Sequence, residues 1–569
     1  MSTPPTAPPP TRSVDLILYG GTVWTADPQQ PVAAAVAIAG DRIVKVGSNA
    51  EVLALITRSV QLVDLDGRMV CPGFNDAHTH FENAVDWYFQ VALTDVNDQE
   101  TLEERVAATA ARLAPGVWIT GGDLGDFAST REESPVLLEP DLARIDALTP
   151  HNPLLIRRAD HQFFTNSRAL EVAKIDGDTP DLRGGRFGRN ADGTLSGMLY
   201  GQAGEFMQRL VSPISLEQKL LGARGVMSQL NAVGITSIQD IARLPAVTEE
   251  VIPPVFLERS FSNAEIFQRL SERSELSVRV YAFLPLDTFD RLAGHGISPK
   301  SGDDWLRYGA LKIFIDSGAM LPPFDPADAP GTGLSDGWSY RFVGEQRLSE
   351  LVQAGDAAGF DIGVHVTGDR GARIAIEAFE NAAELNGPRD RRHRLIHAWH
   401  LAEEDFARAG KLGLVADVTS DQLVLYSNGL DKALGVARAS NAFAWRRLID
   451  TDVTVNLVSD FPGAFNKSHV AEIDPLRNMY AAVTRKARAD GEPFHPEQAI
   501  TVDEALLAYT ANPAYSSHEE DVKGTITPGK LADLVVLSED VRTGAPEVLL
   551  RARVEQTYLG GRLVYDVTE

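Results

Sequence analysis

Val70-Cys71-Pro72-Gly73-Phe74-Asn75-Asp76-Ala77-His78-Thr79-His80 is the stretch on which the reading of this chain turns. Its apolar start predicts a buried strand over residues 69–75 that runs into a His-x-His pair. In a strand, residues i and i+2 point to the same side. His78 and His80 can therefore aim at one point, as two ligands of a single metal ion must. Neutral imidazole is the commonest nitrogen ligand for zinc and its neighbours. Two surface or packing histidines have the same spelling, so the pair acquires meaning only from the rest of the chain.

Working outward, short apolar strands alternate with helical stretches. Strands are predicted at 235–239, 278–283, 310–315, 361–365, 394–397, 415–418 and 453–458, with helices at 348–358, 372–384 and 403–412 among them. With the strand at 69–75 this makes eight strands. Repeated βα units imply a parallel sheet, and eight of them a closed (β/α)₈ TIM-like barrel. Chemistry in such barrels sits at the C-terminal strand ends. His78, His80, Lys312, His365, His397 and Asp460 all fall there.

The two chain ends share a different texture. Val14 to Val46 and Ala532 to Tyr565 are short β-rich runs broken by Gly turns. They predict a small β-sandwich domain built from residues 14–70 and 516–569, flanking a barrel over 71–515. Residues from about 82 to 215 are too many for a connection and read as a large insertion after the first barrel strand. Met1 to Ser13 is Pro/Thr-rich and reads as a disordered tail. Residues 321–340 carry Pro, Gly and Asp with Phe324, Trp338 and Tyr340, and read as a lid or as a solvated loop.

The chain has 569 residues, 44% apolar and 23% charged, an ordinary soluble composition. Its formal net charge of -26 argues against nucleic acid and anionic membrane, which demand clustered positive charge. Cys71 is the single cysteine, so no intramolecular disulfide can form. That usage, and a start without an apolar signal run, predicts a cytoplasmic protein. No segment reads as a membrane span.

Taken singly, each polar strand end has a plain structural reading. Lys312 could form a salt bridge, Asp460 could cap a turn, and a lone histidine is usually packed. The joint order is more specific: His-x-His on strand one, Lys on four, His on five, His on six, Asp on eight. With Pro72 to His80 as its first motif, this set resembles the amidohydrolase superfamily. Further stretches are similar to its branch of YtcJ-like proteins and N-substituted formamide deformylases. They are Pro153 to Leu170, Gly184-Gly185-Arg186, His365 to Arg370, Arg392 to Ala398, Ser459 to Pro462 and Gly524 to Leu537. Two stretches depart from the family pattern, Asp316 to Met320 after Lys312 and Tyr200 to Ala203. Both bear on the substrate, not on the metal centre.

The resemblance implies roles. His78 and His80 would bind one divalent metal, zinc by preference, and His365 and His397 a second. Lys312, carboxylated, would bridge the two, since an ammonium cannot be a ligand. Asp460 would bind metal and act as general base. A one-metal site of His78, His80, His365 and Asp460 is the alternative. His161 is either a substrate-orienting or oxyanion-stabilising residue of the insertion, or a structural partner of Asp160. Trp87, Tyr88 and Phe89 line a pocket or join a core. His393 and His400 read as structural or solvent-exposed.

The expected activity is hydrolysis of a non-peptide C–N bond (amide, N-substituted formamide or carbamate) in a small-molecule substrate, by metal-activated hydroxide. Deamination or ester hydrolysis on the same site is one rival, and a non-catalytic metal-binding regulatory protein the other. The resemblance further implies a homodimer.

Overall fold

The computed structural model describes residues 13–568 apart from 94–95, 97, 125–137, 159–161, 212–213, 242–262, 316–343, 421, 424–426, 428–429, 463–472 and 487–490. The chain divides into two compact units. One comprises Met1–Thr79, Met227–Ser459 and Ile473–Glu569, the other His80–Val226 and Asp460–Glu472.

The first unit holds the barrel. Its strands are β1 (Phe74–Thr79), β2 (Ile235–Ile241), β3 (Arg279–Pro285), β4 (Leu306–Phe314), β5 (Asp361–Val366), β6 (Arg394–His397), β7 (Val415–Thr419) and β8 (Thr454–Val458). Each pairs in parallel with the next, from β1 round to β8. Asp76 of β1 joins the two ends: its carboxylate accepts from the Ser459 N–H at 3.1 Å and from the Ser459 hydroxyl. Every residue of β1, β2, β6 and β7 is buried, as a parallel sheet covered on both faces requires.

The helices between strands follow from local sequence. Asp369–Asn386 buries Ala372, Ala375, Ile376, Phe379 and Ala382, a stripe at helical spacing. Glu403–Lys411 starts with Glu403, Glu404 and Asp405 and ends with Arg408 and Lys411, which opposes both ends of the helix dipole.

Strands from both chain ends form one further sheet in this unit. Its order is Arg562–Asp566, Val554–Leu559, Leu534–Leu537, Met69–Pro72, Leu16–Trp24, Val32–Ala39 and Arg42–Gly47, with Gln61–Asp64 also paired to Leu16–Trp24. Leu16, Leu18, Val36, Val70, Leu534, Val536 and Tyr558 share its core.

The single strand predicted over 69–75 is in fact two. Met69–Pro72 belongs to the small sheet and Phe74–Thr79 to the barrel. The Gly73 N–H donates to the Asp533 carbonyl (2.8 Å), and the next N–H, of Phe74, to that of Gly234 (3.0 Å). The chain thus changes sheets within one residue. Gly73 is needed there, because a Cβ would lie 2.1 Å from Thr236 Oγ1.

The second unit carries a six-stranded sheet, ordered Gly185–Arg189, Leu195–Gly201, Phe163–Thr165, Leu154–Arg158, Ile119–Leu124 and Val91–Ala92. Helices Gln99–Arg112 and Leu142–Leu148 cover it, with Leu102, Val106, Ile119, Ile145, Leu154, Ile156 and Phe164 in one core. The insertion is thus a folded α/β element. Among the described residues no helix is long and apolar enough to cross a membrane.

Candidate metal centre

In the first unit, β1, β4, β5 and β6 bring four of the expected ligands to their C-terminal ends. The His78 and His397 rings lie edge to face, 5.3 Å between centroids. The rings of His365 and His397 are 4.5 Å apart. Lys312 Nζ stands 4.8 Å from the centre of the Phe314 ring, which lies 4.9 Å from His365. His78 is fully buried, and His397 and Lys312 are 3% exposed.

His78 and His397 are held by residues behind them. Asp76 Oδ1 accepts the His78 N–H at 3.2 Å. His397 Nδ1 lies 3.1 Å from Thr419 Oγ1 at the end of β7. With Nδ1 donating to that hydroxyl, Nε2 presents its lone pair. Thr79, between the two histidines of the motif, donates to Asp240 Oδ1 of β2 at 2.8 Å. Sequence reasoning missed Thr419 and Asp240; neither has a signature, because both act on a neighbouring strand.

In the second unit, His80 and Asp460 meet. His80 Nε2 is 3.2 Å from Asp460 Oδ1, and the His80 N–H donates to the Phe461 carbonyl at 2.7 Å. In sequence His80 follows Thr79, the last residue of β1, and Asp460 stands two residues past Val458, the last residue of β8.

The backbone is strained at these positions. His397, Ala398 and Asp460 have φ of 72°, 44° and 58°, values that residues with a Cβ rarely adopt. Such conformations persist where the surroundings over-determine them, and they cluster at functional sites.

The donor set fits a divalent metal of the zinc class. Imidazole nitrogens and a carboxylate oxygen are its ordinary ligands, and here three imidazoles gather with a buried lysine.

Other predicted residues fall differently. His161, with Asp160, and the loop at 321–340 lie outside the described residues. His393 is structural: it is buried, its Nδ1 accepts the Ile362 N–H at 3.1 Å, and its Nε2 lies 3.3 Å from Asp356. Tyr88 and Phe89 pack edge to face within the second unit, 5.3 Å apart.

Comparison with known proteins agrees with this geometry. The sequence profile described as Amidohydrolase family matches residues 61–565. The chain is 30% identical to the Arabidopsis thaliana protein LONG AFTER FAR-RED 3, over 98% of this chain and 93% of that protein. It is 28% identical to the N-substituted formamide deformylase of Arthrobacter pascens, over 98% and 99%. An uncharacterized metal-dependent hydrolase from Pyrococcus furiosus has the same fold, with a TM-score of 0.67 at 20% identity, covering 93% of this chain and all of that one. On the match of its profile across most of the sequence, the chain belongs to the amidohydrolase family.

Proposed function

We propose that this hydrolase uses one or two divalent cations, zinc being the best match to its donors, to cleave an amide, N-substituted formamide or carbamate of a small molecule. The observation that carries the reading is the gathering of His78, His365 and His397 beside Lys312 at the strand ends of a barrel. The likeness to a deformylase along nearly the whole chain supports it.

His78 and His80 would hold one cation and His365 and His397 a second. Lys312, as a carbamate, would stand between them. With a single cation, His78, His80, His365 and Asp460 would serve. A bound cation supplies a Lewis acid and makes water acidic enough to attack at neutral pH. Asp460 takes the proton from the attacking water and delivers it to the leaving nitrogen. The C–N bond breaks as the carbonyl carbon gains the water oxygen, giving an amine and an acid.

The test is metal content per chain, on protein purified without chelator, together with product analysis on N-alkylformamides, carbamates and amides. One or two zinc ions and equal amounts of amine and acid are expected. Lys312→Ala should lose a cation if the site is binuclear. Asp460→Asn should stay folded and lose about 10²- to 10⁴-fold in kcat. Full activity of that variant would sink the proton-transfer role. Ammonia released from a ring, or an alcohol from an ester, would replace the amide assignment.

A further inference from the structure

His400 stands three residues after His397 and is outside the ligand set. The loops after β5, β6 and β7 meet around it. Its backbone bridges to Ala442, and its ring centre is 6.4 Å from that of Phe443. Phe443 lies 5.8 Å from Trp399, whose indole N–H donates to Gln422 beyond β7. An Arg438–Asp369 ion pair of 2.6 Å ties the loop after β7 to the helix after β5. The imidazole thus sits in a wall made from three loops on the face where barrel enzymes meet their substrates.

Its two nitrogens are not equivalent. Nδ1 lies 3.2 Å from the Thr367 carbonyl. A carbonyl only accepts, so Nδ1 carries the proton and donates. Burial holds the ring below the ordinary histidine value, against the opposing pull of that carbonyl and of Asp369. The ring is therefore neutral and Nε2 carries a lone pair. That atom is buried and meets no hydrogen-bond partner among the described residues. Leaving a buried acceptor unmet is costly, and an arriving N–H relieves the cost.

We propose that His400 Nε2 is a substrate-binding acceptor that takes the hydrogen bond of the N–H in the amide or formamide to be cleaved. The assignment rests on the amide-hydrolase reading above. It gives the site a preference for substrates whose nitrogen bears a hydrogen over the same substrates with that nitrogen fully substituted.

Two conservative variants separate this role from a structural one. His400→Gln can place a carbonyl oxygen near the position of Nε2, whereas His400→Asn can place an amide N–H near Nδ1 and has no acceptor at Nε2. KM and kcat would be measured on zinc-loaded enzyme with N-butylformamide and with N-butyl-N-methylformamide. The wild type should prefer the first. His400→Asn should raise its KM about tenfold, the worth of one hydrogen bond, and spare the methylated compound. His400→Gln should stay close to the wild type. The reverse order of the variants, or an equal loss on both compounds with a lowered Tm, would assign His400 to structure alone and overturn the proposal. If the wild type turns over neither compound, the amide reading has failed on this class. Calorimetric binding of N-butylformamide to zinc-loaded Asp460→Asn, with and without the His400 changes, then decides His400 by itself. The same order supports the proposal, and no binding or equal binding overturns it.

Discussion

At the residue scale, the candidate metal centre is a set of side chains whose neighbours help to aim them. His397 is the clearest case. Its φ of 72° costs about 1–3 kcal/mol, and its ring is turned by the Thr419 hydroxyl at 3.1 Å. Partners of this kind orient a ligand and tune its basicity. Thr419→Val keeps the shape and removes the hydroxyl. Zinc affinity should fall about 10- to 100-fold with little change in Tm, and competition with a chromogenic chelator would measure it. Unchanged affinity would show that packing alone holds the ring. The candidate ligands themselves are picked out by order and spacing. Thr419 is not, because nothing in Val415 to Thr419 distinguishes its last residue from any strand-end threonine.

At the scale of elements, the alternation of apolar strands with amphipathic helices located seven of the eight barrel strands to within four residues at each end, while the strand expected at 69–75 shares only Phe74 and Asn75 with β1. Strand existence follows from β-branched runs and helix existence from stripes, and both are local properties. The start of β1 is not local. Residues 69–75 are continuous in texture, yet the chain passes from one sheet to another at Gly73, where Thr236 crowds the position and the Asp533 carbonyl takes its N–H, both far away in sequence. Gly73→Ala should therefore destabilise by about 1–3 kcal/mol through overpacking. Thr236→Ala in the same chain should recover part of the loss, since Oγ1 and Cγ2 are the closest atoms. Chemical denaturation of the two variants would check this, and independent, additive effects would refute the contact.

At the scale of the molecule, the end of the barrel opposite the candidate metal centre makes polar contacts with the C-terminal segment. Arg394 of β6 donates to Gln239 of β2 at 2.6 Å and to the Ser516 carbonyl at 2.8 Å. Asp361, at the start of β5, lies 2.6 Å from His518 Nε2 and 3.2 Å from Arg389. Burial pushes the Asp361 carboxyl up. The His518 hydrogen bond and the charge of Arg389 outweigh it and hold the group well below the ordinary carboxylate range. A folded value below the unfolded one, near 3.9, means that its stabilisation is complete above about pH 4. It is lost as pH falls from there toward the folded value. Asp361→Asn should lower stability at pH 7 by about 3 kcal/mol, and its Tm should fall less than that of the wild type between pH 5 and pH 3. Parallel Tm–pH curves would show that other carboxylates set the acid limit.

Sequence alone determined which side chains stand at the strand ends, their order around a barrel and the family. A covalent chain preserves order and side-chain identity, and β/α periodicity is written in neighbours. Tertiary structure decided the rest. It divided residues 69–75 between two sheets at Gly73, set Thr419 behind His397, joined the barrel's ends through Asp76 and Ser459, and buried the Nε2 of His400, which as sequence is one of three histidines in Arg392 to His400. Each of these depends on residues from distant parts of the chain meeting in space. Packing and burial settle such distances, and no local pattern encodes them.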